Sequence, residues 1–268
     1  MEKVRHILGI SGGKDSAALA VYLRDRVPEM EYVFCDTGYE LDETYDYIYK
    51  LEVFLNKSIA RLPADLPGYS EKMNFKHFLK IYGGYLPNAQ SRWCTKNLKL
   101  EPFEKYFGSD NVVNYVGIRA DEAREGYLST KSNVATVFPF IEAGIDKNGV
   151  LRILNEAGLG LPTYYEWRSR SGCYFCFYQR LDEWVELCRR HPKLWKKAKS
   201  FEKDGFTWRE DYSLIDLEDE DLQEKILDQK KNRANKKPRK IKNAALIQVL
   251  DELQDEDDVQ KPCLICHL

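Results

Sequence analysis

The residues with the clearest chemical potential form a short glycine loop, Ser11-Gly12-Gly13-Lys14-Asp15-Ser16. The loop follows an apolar stretch at residues 4–10 that predicts a buried strand, and it precedes residues 17–26, whose apolar side chains have helical spacing. Glycines let backbone N–H groups approach an anion, the N-terminus of a helix adds partial positive charge, and Lys14 adds a full one. The pattern therefore predicts a phosphate cradle, with an ordinary tight turn as the alternative.

Cysteines are the second group with chemical potential, at positions 35, 94, 173, 176, 188, 263 and 266. Their number is odd and the sequence opens without a secretion signal, so reduced thiols are expected rather than a disulfide framework. Cys173 and Cys176 have the Cys-x-x-Cys spacing of metal ligands. A redox dithiol and two buried apolar thiols are the alternatives. Cys35 lies inside a predicted strand, where we expect an inert buried thiol.

The elements that position these residues alternate between strand and helix. Strands are predicted at residues 4–10, 32–35, 59–62 and 112–118, and helical spacing marks residues 17–26 and 41–55. Such alternation predicts an α/β fold with a mostly parallel sheet and helices on both of its faces. Ligands then bind outside the carboxyl ends of the strands.

Composition narrows the class of protein. The 268 residues include 43% hydrophobic residues, enough for a core, and carry a formal net charge of -2, which excludes a uniformly basic nucleic-acid coat. The sequence contains no run of eighteen or more apolar residues. We therefore expect a soluble cytoplasmic protein without membrane association.

Three regions are expected along the chain. Residues 1–145 form a nucleotide-binding domain, residues 146–205 a helical cysteine-containing region of the same catalytic unit, and residues 206–268 a charged, helical C-terminal appendage. The appendage contains a basic run at residues 230–242, which could contact nucleic-acid phosphates or remain a solvated tail.

The glycine loop resembles the PP-loop of the ATP pyrophosphatases, which cleave ATP between its α- and β-phosphates and adenylate a substrate. Further blocks resemble the phosphoadenosine phosphosulfate (PAPS) reductase superfamily: Phe34 to Glu40, Arg92 to Lys96, Val116 to Glu122 with Arg124, Phe138-Pro139, and Gly172 to Cys176. The resemblance covers about residues 4–200. It implies a Rossmann-like fold of the adenine nucleotide alpha hydrolase (HUP) type.

Lys14 and Asp15 indicate which branch of that superfamily the chain resembles. True PAPS reductases carry a degraded loop without this pair, and the small subunit of ATP sulfurylase lacks a Cys-x-x-Cys after its nucleotide domain. The pattern is most similar to the ATP pyrophosphatases of DNA phosphorothioation systems, which work with a cysteine desulfurase. The resemblance thus implies ATP and Mg²⁺ as ligands, a desulfurase as partner and DNA as a possible substrate.

The resemblance also implies roles for the loop residues. Lys14 would bind the pyrophosphate leaving group together with Ser11, Ser16 and the amides of Gly12 and Gly13. Asp15 would hold Mg²⁺ through water, or would serve only as an acid in the first turn of a helix.

Other implied contacts follow the strand ends. Arg119 would neutralise charge on the α-phosphate, and Gly117 is counted with the nucleotide-binding positions. Asp36 would contact adenosine, with Thr37 and Gly38 shaping the turn; a helix N-cap is the alternative for Asp36. Lys96 and Arg124 are weaker candidates.

For the cysteines, the resemblance makes Cys94 the first partner of Cys173 and Cys176, because its block corresponds to the cluster cysteines of the iron–sulfur adenylylsulfate reductases. Cys188 is the candidate fourth ligand. A [4Fe-4S] cluster is implied, with zinc as the alternative. Cys263 and Cys266 form a second Cys-x-x-Cys, which could complete a four-cysteine site or carry sulfur on a mobile tail.

Two other functions remain open on the sequence alone. One is a PAPS or sulfonucleotide reductase that acts through a cysteine, although the intact loop argues against it. The other is a non-catalytic subunit that binds a nucleotide within an assembly.

Overall fold

The computed structural model describes residues 4–63, 73–123, 129, 131–203 and 205–235. The strands are β1 (Arg5–Gly9), β2 (Glu31–Cys35), β3 (Ile59–Leu62), β4 (Val112–Tyr115) and β5 (Val134–Val137). The helices are α1 (Lys14–Leu23), α2 (Asp42–Leu55), α3 (Phe75–Ile81), α4 (Trp93–Thr95), α5 (Glu101–Phe107), α6 (Pro139–Glu142), α7 (Lys147–Glu156), α8 (Leu181–Arg190), α9 (Pro192–Lys199) and α10 (Glu220–Asn235). Short turns of π or 3₁₀ type lie at Lys96–Leu100, Thr163–Glu166 and Asp216–Glu218.

All five strands form one parallel sheet in the order β3-β2-β1-β4-β5. Ile7 of β1 pairs with Glu31 on one side and with Asn114 on the other. The chain leaves β1 toward β2 and returns to the opposite side of β1 with β4, so the strand order reverses between β1 and β4. In open α/β sheets a ligand binds at such a reversal, outside the carboxyl ends of the strands.

Helices cover both faces of the sheet, as predicted. Leu8 packs with the apolar sides of α1, α2 and α7, whereas its neighbour Ile7 packs with Phe103 and Phe107 of α5 on the other face. Successive side chains of a strand point to opposite faces, and a strand buried on both faces is continuously apolar. This explains the uninterrupted Ile7-Leu8 pattern and confirms the Rossmann-like fold.

The element bounds differ from the prediction at two points that matter for the site. Helix α1 begins at Lys14 rather than at residue 17, so Lys14, Asp15 and Ser16 form its first turn. Strand β4 ends at Tyr115, so residues 116–118 form a loop. Strand β5 was not predicted: it has only four residues, of which three are partly buried and one is exposed.

The chain divides into two compact units. The first contains the sheet and comprises the described residues of 4–81 and 92–173; the second comprises those of 82–91 and 174–235. Their boundary lies between Cys173 and Tyr174. It falls inside residues 146–205, which were predicted to form one helical region.

The second unit has an aromatic core of its own. Its helix α8 packs against both α9 and α10. Trp184 and Trp195 of α8 and α9 are buried, and Trp208 stacks on Phe175 with ring centroids 5.0 Å apart. Among the described helices, none combines the length and the apolar character that a membrane span needs.

Candidate functional site

The glycine loop joins β1 to α1 at the strand reversal, and packing explains its two glycines. Gly12 has a φ of +72°, and a Cβ there would lie 2.5 Å from Cγ2 of Thr44. A Cβ on Gly13 would lie 2.8 Å from Oγ of Ser171. A side chain at either position would displace a neighbour, so glycine keeps the buried backbone of the loop closely packed.

Ser11 and Ser16 close the loop. The backbone N–H of Ser11 donates to Oγ of Ser16 over 3.1 Å, and the two hydroxyls lie 3.1 Å apart. Ser16 also donates to the carbonyl of Gly13. Gly13 is the N-cap of α1 and supplies no side-chain acceptor to the amides of the first turn. The partial positive charge of this helix terminus favours an anion.

A chain of charges surrounds this helix terminus. Nζ of Lys14 lies 3.1 Å from Oδ2 of Asp15, and Nη1 of Arg119 lies 3.1 Å from Oδ1 of the same carboxylate. Arg119 also pairs with Asp121, at 2.9 Å, and with Glu122, at 3.1 Å. The structure thus brings together the three residues predicted to be catalytic, Lys14, Asp15 and Arg119.

The cations in this network stay charged at neutral pH. Burial alone would lower the pKa of Lys14, but the negative charge of Asp15 and its hydrogen bond to the ammonium help to raise the pKa above its ordinary value. For Arg119, burial is likewise outweighed by the hydrogen bond to Asp121 and by the charge of Asp15, so its pKa is raised.

Gly117 lies where the loop after β4 approaches α1. A Cβ at this position would be 3.1 Å from the carbonyl oxygen of Asp15, closer than a side chain tolerates without a shift. Glycine therefore allows Arg119, two residues later, to reach Asp15.

The turn after β2 orients Asp36. Oδ1 of Asp36 accepts hydrogen bonds from the N–H of Gly38 and from the hydroxyl of Tyr45, both at 2.8 Å. Gly38 has a φ of +72°, which glycine adopts without strain. This Asx-type turn fixes Asp36 at the carboxyl end of β2, and Asp36 is not the N-cap of α2, a position that Leu41 holds.

Thr37 links this turn to a buried carboxyl and a thiol. Its hydroxyl donates to Oε1 of Glu40 over 3.0 Å and lies 3.1 Å from Sγ of Cys173. Burial raises the pKa of Glu40, against the opposing charge of Lys99 and the hydrogen bond from Thr37. No role was predicted for Glu40, although it lies in the block that contains Asp36.

A segment that the sequence analysis did not connect with the loop also contacts it. Tyr164, Tyr165 and Ser171 form hydrogen bonds with the loop residues Gly12, Lys14 and Ser11, respectively. The guanidinium of the buried Arg168 donates to the carbonyls of Gly172 and Cys173, at 2.9 and 2.7 Å, and so closes the turn that carries Ser171.

The four predicted metal ligands are divided between the compact units. Cys94 and Cys173 belong to the first unit, Cys176 and Cys188 to the second. Within the described ranges, no three His, Cys, Asp or Glu side chains are grouped so that they could hold a metal ion. The predicted four-cysteine metal centre stays a prediction. Cys263 and Cys266 lie outside the described residues.

The remaining candidates are peripheral. Lys96 is exposed in the turn after α4, and Arg124 lies outside the described residues. Sγ of Cys188 accepts a hydrogen bond from Gln223 over 3.7 Å, and burial raises the pKa of its thiol. Burial raises the pKa of Cys35 to about 12, as expected for an inert thiol.

A parallel sheet with a glycine loop at its strand reversal defines a class of α/β domain that binds a phosphorylated ligand. Within this class, the chain belongs to the phosphoadenosine phosphosulfate reductase domain family, whose model matches residues 5–143. The superfamily predicted from the sequence is thus confirmed. The narrower assignment to DNA phosphorothioation stays a prediction.

Individual relatives add detail. An uncharacterized protein of Methanocaldococcus jannaschii is 29% identical over 212 residues, covering 73% of this chain and 41% of its own length. The chain thus spans less than half the length of that relative. The tRNA-specific 2-thiouridylase MnmA of Hydrogenovibrio crunogenus is 29% identical over 138 residues, 47% of this chain and 36% of that protein.

Among solved structures, phosphoadenylyl-sulfate reductase from Candida auris in its phosphate complex is similar to this chain. The TM-score is 0.49 at 15% identity, and the match covers 64% of this chain and 82% of that one.

Proposed function

We propose that the protein is an ATP pyrophosphatase that adenylates an acceptor in preparation for sulfur transfer. One observation carries the proposal: Lys14, Asp15 and Arg119 form a continuous charge network at the N-terminus of α1, where the strand order reverses. The loop supplies amides, hydroxyls and a lysine for a polyphosphate. The arginine comes from the adjacent strand end.

In the proposed reaction, an acceptor oxygen attacks the α-phosphorus of ATP. The bond from that phosphorus to the oxygen bridging the β-phosphate breaks, pyrophosphate leaves, and the acceptor keeps AMP. Lys14 and the loop amides stabilise the charge that develops on pyrophosphate, and Arg119 stabilises charge on the α-phosphate. Asp15 holds both cations in place through its two oxygens.

Nucleotide binding extends along the carboxyl edge of the sheet. The turn of Asp36, Thr37 and Gly38 follows β2, the strand next to β1, and we propose that this turn contacts adenosine. Mg²⁺ commonly binds substrate phosphates together with carboxylates and water. Asp15 would contribute through water, because both of its oxygens pair with Lys14 and Arg119. The ion would neutralise phosphate charge.

The acceptor that we propose is a nucleic acid, with DNA phosphorothioate modification as the specific process. Similarity to a tRNA-specific 2-thiouridylase supports an acceptor of this chemical class. After adenylation, a sulfur donor displaces AMP, and a cysteine desulfurase is the proposed source of the sulfur.

A surface of the second unit also supports a nucleic-acid acceptor. Residues 189–199 contain no Asp or Glu. Five exposed cationic side chains of this segment form what we call the basic face: Arg189, Arg190, Lys193, Lys196 and Lys197. Within the described part of the chain, the three lysines of this face form no ion pair. By contrast, Lys230 and Lys231 of the predicted basic run pair with Asp182 and Asp228.

A sulfonucleotide reductase is the second candidate, because the family model is named for PAPS reductases. Product analysis separates the two functions. The purified full chain is incubated with ATP and Mg²⁺, with and without DNA or tRNA, and nucleotides are resolved by ion-exchange chromatography. AMP and pyrophosphate in equal amounts support the proposal. ADP with phosphate, or no ATP consumption together with thiol-dependent reduction of PAPS, rejects it.

A further inference from the structure

Tyr164 fixes one peptide of the glycine loop. Its side chain is 1% exposed, and its hydroxyl donates a hydrogen bond of 2.7 Å to the carbonyl of Gly12. In a planar trans peptide the C=O and the following N–H point in opposite directions, so this bond also sets the direction of the N–H of Gly13. In this structure the N–H of Gly13 donates to Oγ of Ser11 over 3.3 Å, so Tyr164 fixes the conformation in which the loop closes on Ser11.

Tyr165 contacts the next donor of the loop. The N–H of Lys14 donates to Oη of Tyr165 over 3.3 Å, and the Lys14 ammonium lies 5.3 Å from the centroid of the same ring. This N–H belongs to the first turn of α1, so it has no hydrogen-bond acceptor within the helix. At helix N-termini that bind phosphate, such amides face the phosphate oxygens. The hydroxyl of Tyr165 thus lies where a phosphate oxygen would accept the same hydrogen bond.

The two hydrogen bonds differ in how readily a polyphosphate replaces them. Burial raises the pKa of both tyrosines, so both hydroxyls are neutral at neutral pH. A neutral hydroxyl is a weaker acceptor than an ionised phosphate oxygen, because charge-assisted hydrogen bonds are about twice as strong. Phosphate can therefore take the N–H of Lys14 from Tyr165. It cannot replace Tyr164, because an ionised phosphate has no proton to donate to the carbonyl of Gly12.

We propose that the adjacent tyrosines act on polyphosphate binding in opposite directions. Tyr164 is a positioning residue that holds the Gly12–Gly13 peptide, whose N–H donates to Oγ of Ser11, in the conformation of the phosphate cradle. Tyr165 competes with the ligand for the N–H of Lys14. Both lie outside residues 5–143, which the family model matches. The inference rests on the proposed function, because it requires that the loop binds the β- and γ-phosphates of ATP.

Two variants of the full chain, Tyr164→Phe and Tyr165→Phe, form a matched pair. Each removes one hydroxyl and keeps the stacked rings, whose centroids are 4.9 Å apart. Dissociation constants for ATP, inorganic pyrophosphate and AMP are measured by titration calorimetry. We expect ATP and pyrophosphate to bind about two- to tenfold more tightly to Tyr165→Phe and about two- to tenfold more weakly to Tyr164→Phe. AMP binding stays unchanged in both, because AMP lacks the phosphates that the loop binds.

Shifts of the same sign in both variants overturn the proposal, as do changes for AMP that parallel those for pyrophosphate. If Tyr164→Phe does not fold, Tyr165→Phe tests the proposal alone. Unchanged or weaker binding of pyrophosphate to Tyr165→Phe would show that Tyr165 does not compete with the ligand. An unmodified chain that binds neither ATP nor pyrophosphate rejects the proposed function as well. An unmodified chain that binds both, with variants indistinguishable from it, rejects only the opposing roles of the tyrosines.

Discussion

Arg119 and Asp15 are 104 residues apart in sequence, yet Nη1 of the arginine lies 3.1 Å from Oδ1 of the aspartate. The bond connects the loop after β4 with the first turn of α1 across the reversal of strand order. Asp15 in turn holds Lys14, so one carboxylate fixes the cations that we assign to both sides of the bond broken in ATP.

This relationship predicts the effect of Arg119→Gln. The variant loses the positive charge near the α-phosphate, while Asp15 keeps its contact with Lys14. We expect kcat/KM for ATP cleavage to fall by about 10²- to 10³-fold, the usual effect of removing one donor that stabilises a transition state. Arg119→Lys serves as the control and should retain part of the activity. Unchanged turnover in Arg119→Gln would remove the arginine from the reaction.

Glu40 predicts a pH dependence of stability. Its folded-state pKa is raised by burial above the ordinary value of 4.5, so the folded protein binds this proton more tightly than the unfolded chain does. The stabilising contribution is complete below the unfolded pKa and is lost as the pH rises through the folded pKa.

Glu40→Gln is uncharged at every pH and should therefore gain stability relative to the unmodified protein as the pH rises from about 4.5 toward 8. Urea unfolding midpoints across this range measure the difference, with the exposed Glu156→Gln as the control. A difference that is constant across the range contradicts the assignment.

The cysteines predict a specific pattern of metal loss. If Cys173 is a ligand of the predicted centre, Cys173→Ser replaces a soft thiolate by a hydroxyl and should lose iron or zinc. Cys35→Ala should keep the metal, because Cys35 is buried and bonded to the carbonyl of Lys99. Metal content and visible absorbance of anaerobically purified protein measure the outcome. Full metal occupancy in Cys173→Ser would show that Cys173 is not a ligand. In that case, or if the unmodified protein contains neither iron nor zinc, Cys173 and Cys176 are interpreted as a redox dithiol.

The basic face predicts salt-dependent binding of nucleic acid. Each phosphate contact that is lost lowers the slope of log affinity against log salt by about one. Replacing Lys193, Lys196 and Lys197 by Glu should thus weaken binding of DNA or tRNA and flatten the slope. The control replaces the exposed Lys50, Lys76 and Lys80 by Glu, with the same change in net charge. Equal losses in both triple variants would indicate only a general charge effect.

The sequence was sufficient to predict those parts of the site that adjoin strand ends. The glycine loop, Asp36 and Arg119 follow buried apolar stretches, and parallel strands bring their carboxyl ends to one edge of the sheet. The fold was predictable for the same reason, except for the short, half-buried β5.

Residues that reach the site from distant turns could not be predicted. Tyr164 and Gly12 are 152 residues apart, and Thr37 and Cys173 are 136 apart. No periodicity links such positions, because their contact depends on how the segment after α7 packs against the loop. Glu40 gave no signal either, since a carboxyl next to a turn is usually exposed and only tertiary packing buries it.

The most direct test of the central claim is the position of oxygen-18 after ATP turnover in labelled water. Without an acceptor, water takes the place of the attacking oxygen, and attack at the α-phosphorus puts the label in AMP. We predict labelled AMP, unlabelled pyrophosphate, and loss of both products in Lys14→Met. Label in pyrophosphate, or ADP and labelled phosphate as the products, would contradict adenylation by this protein.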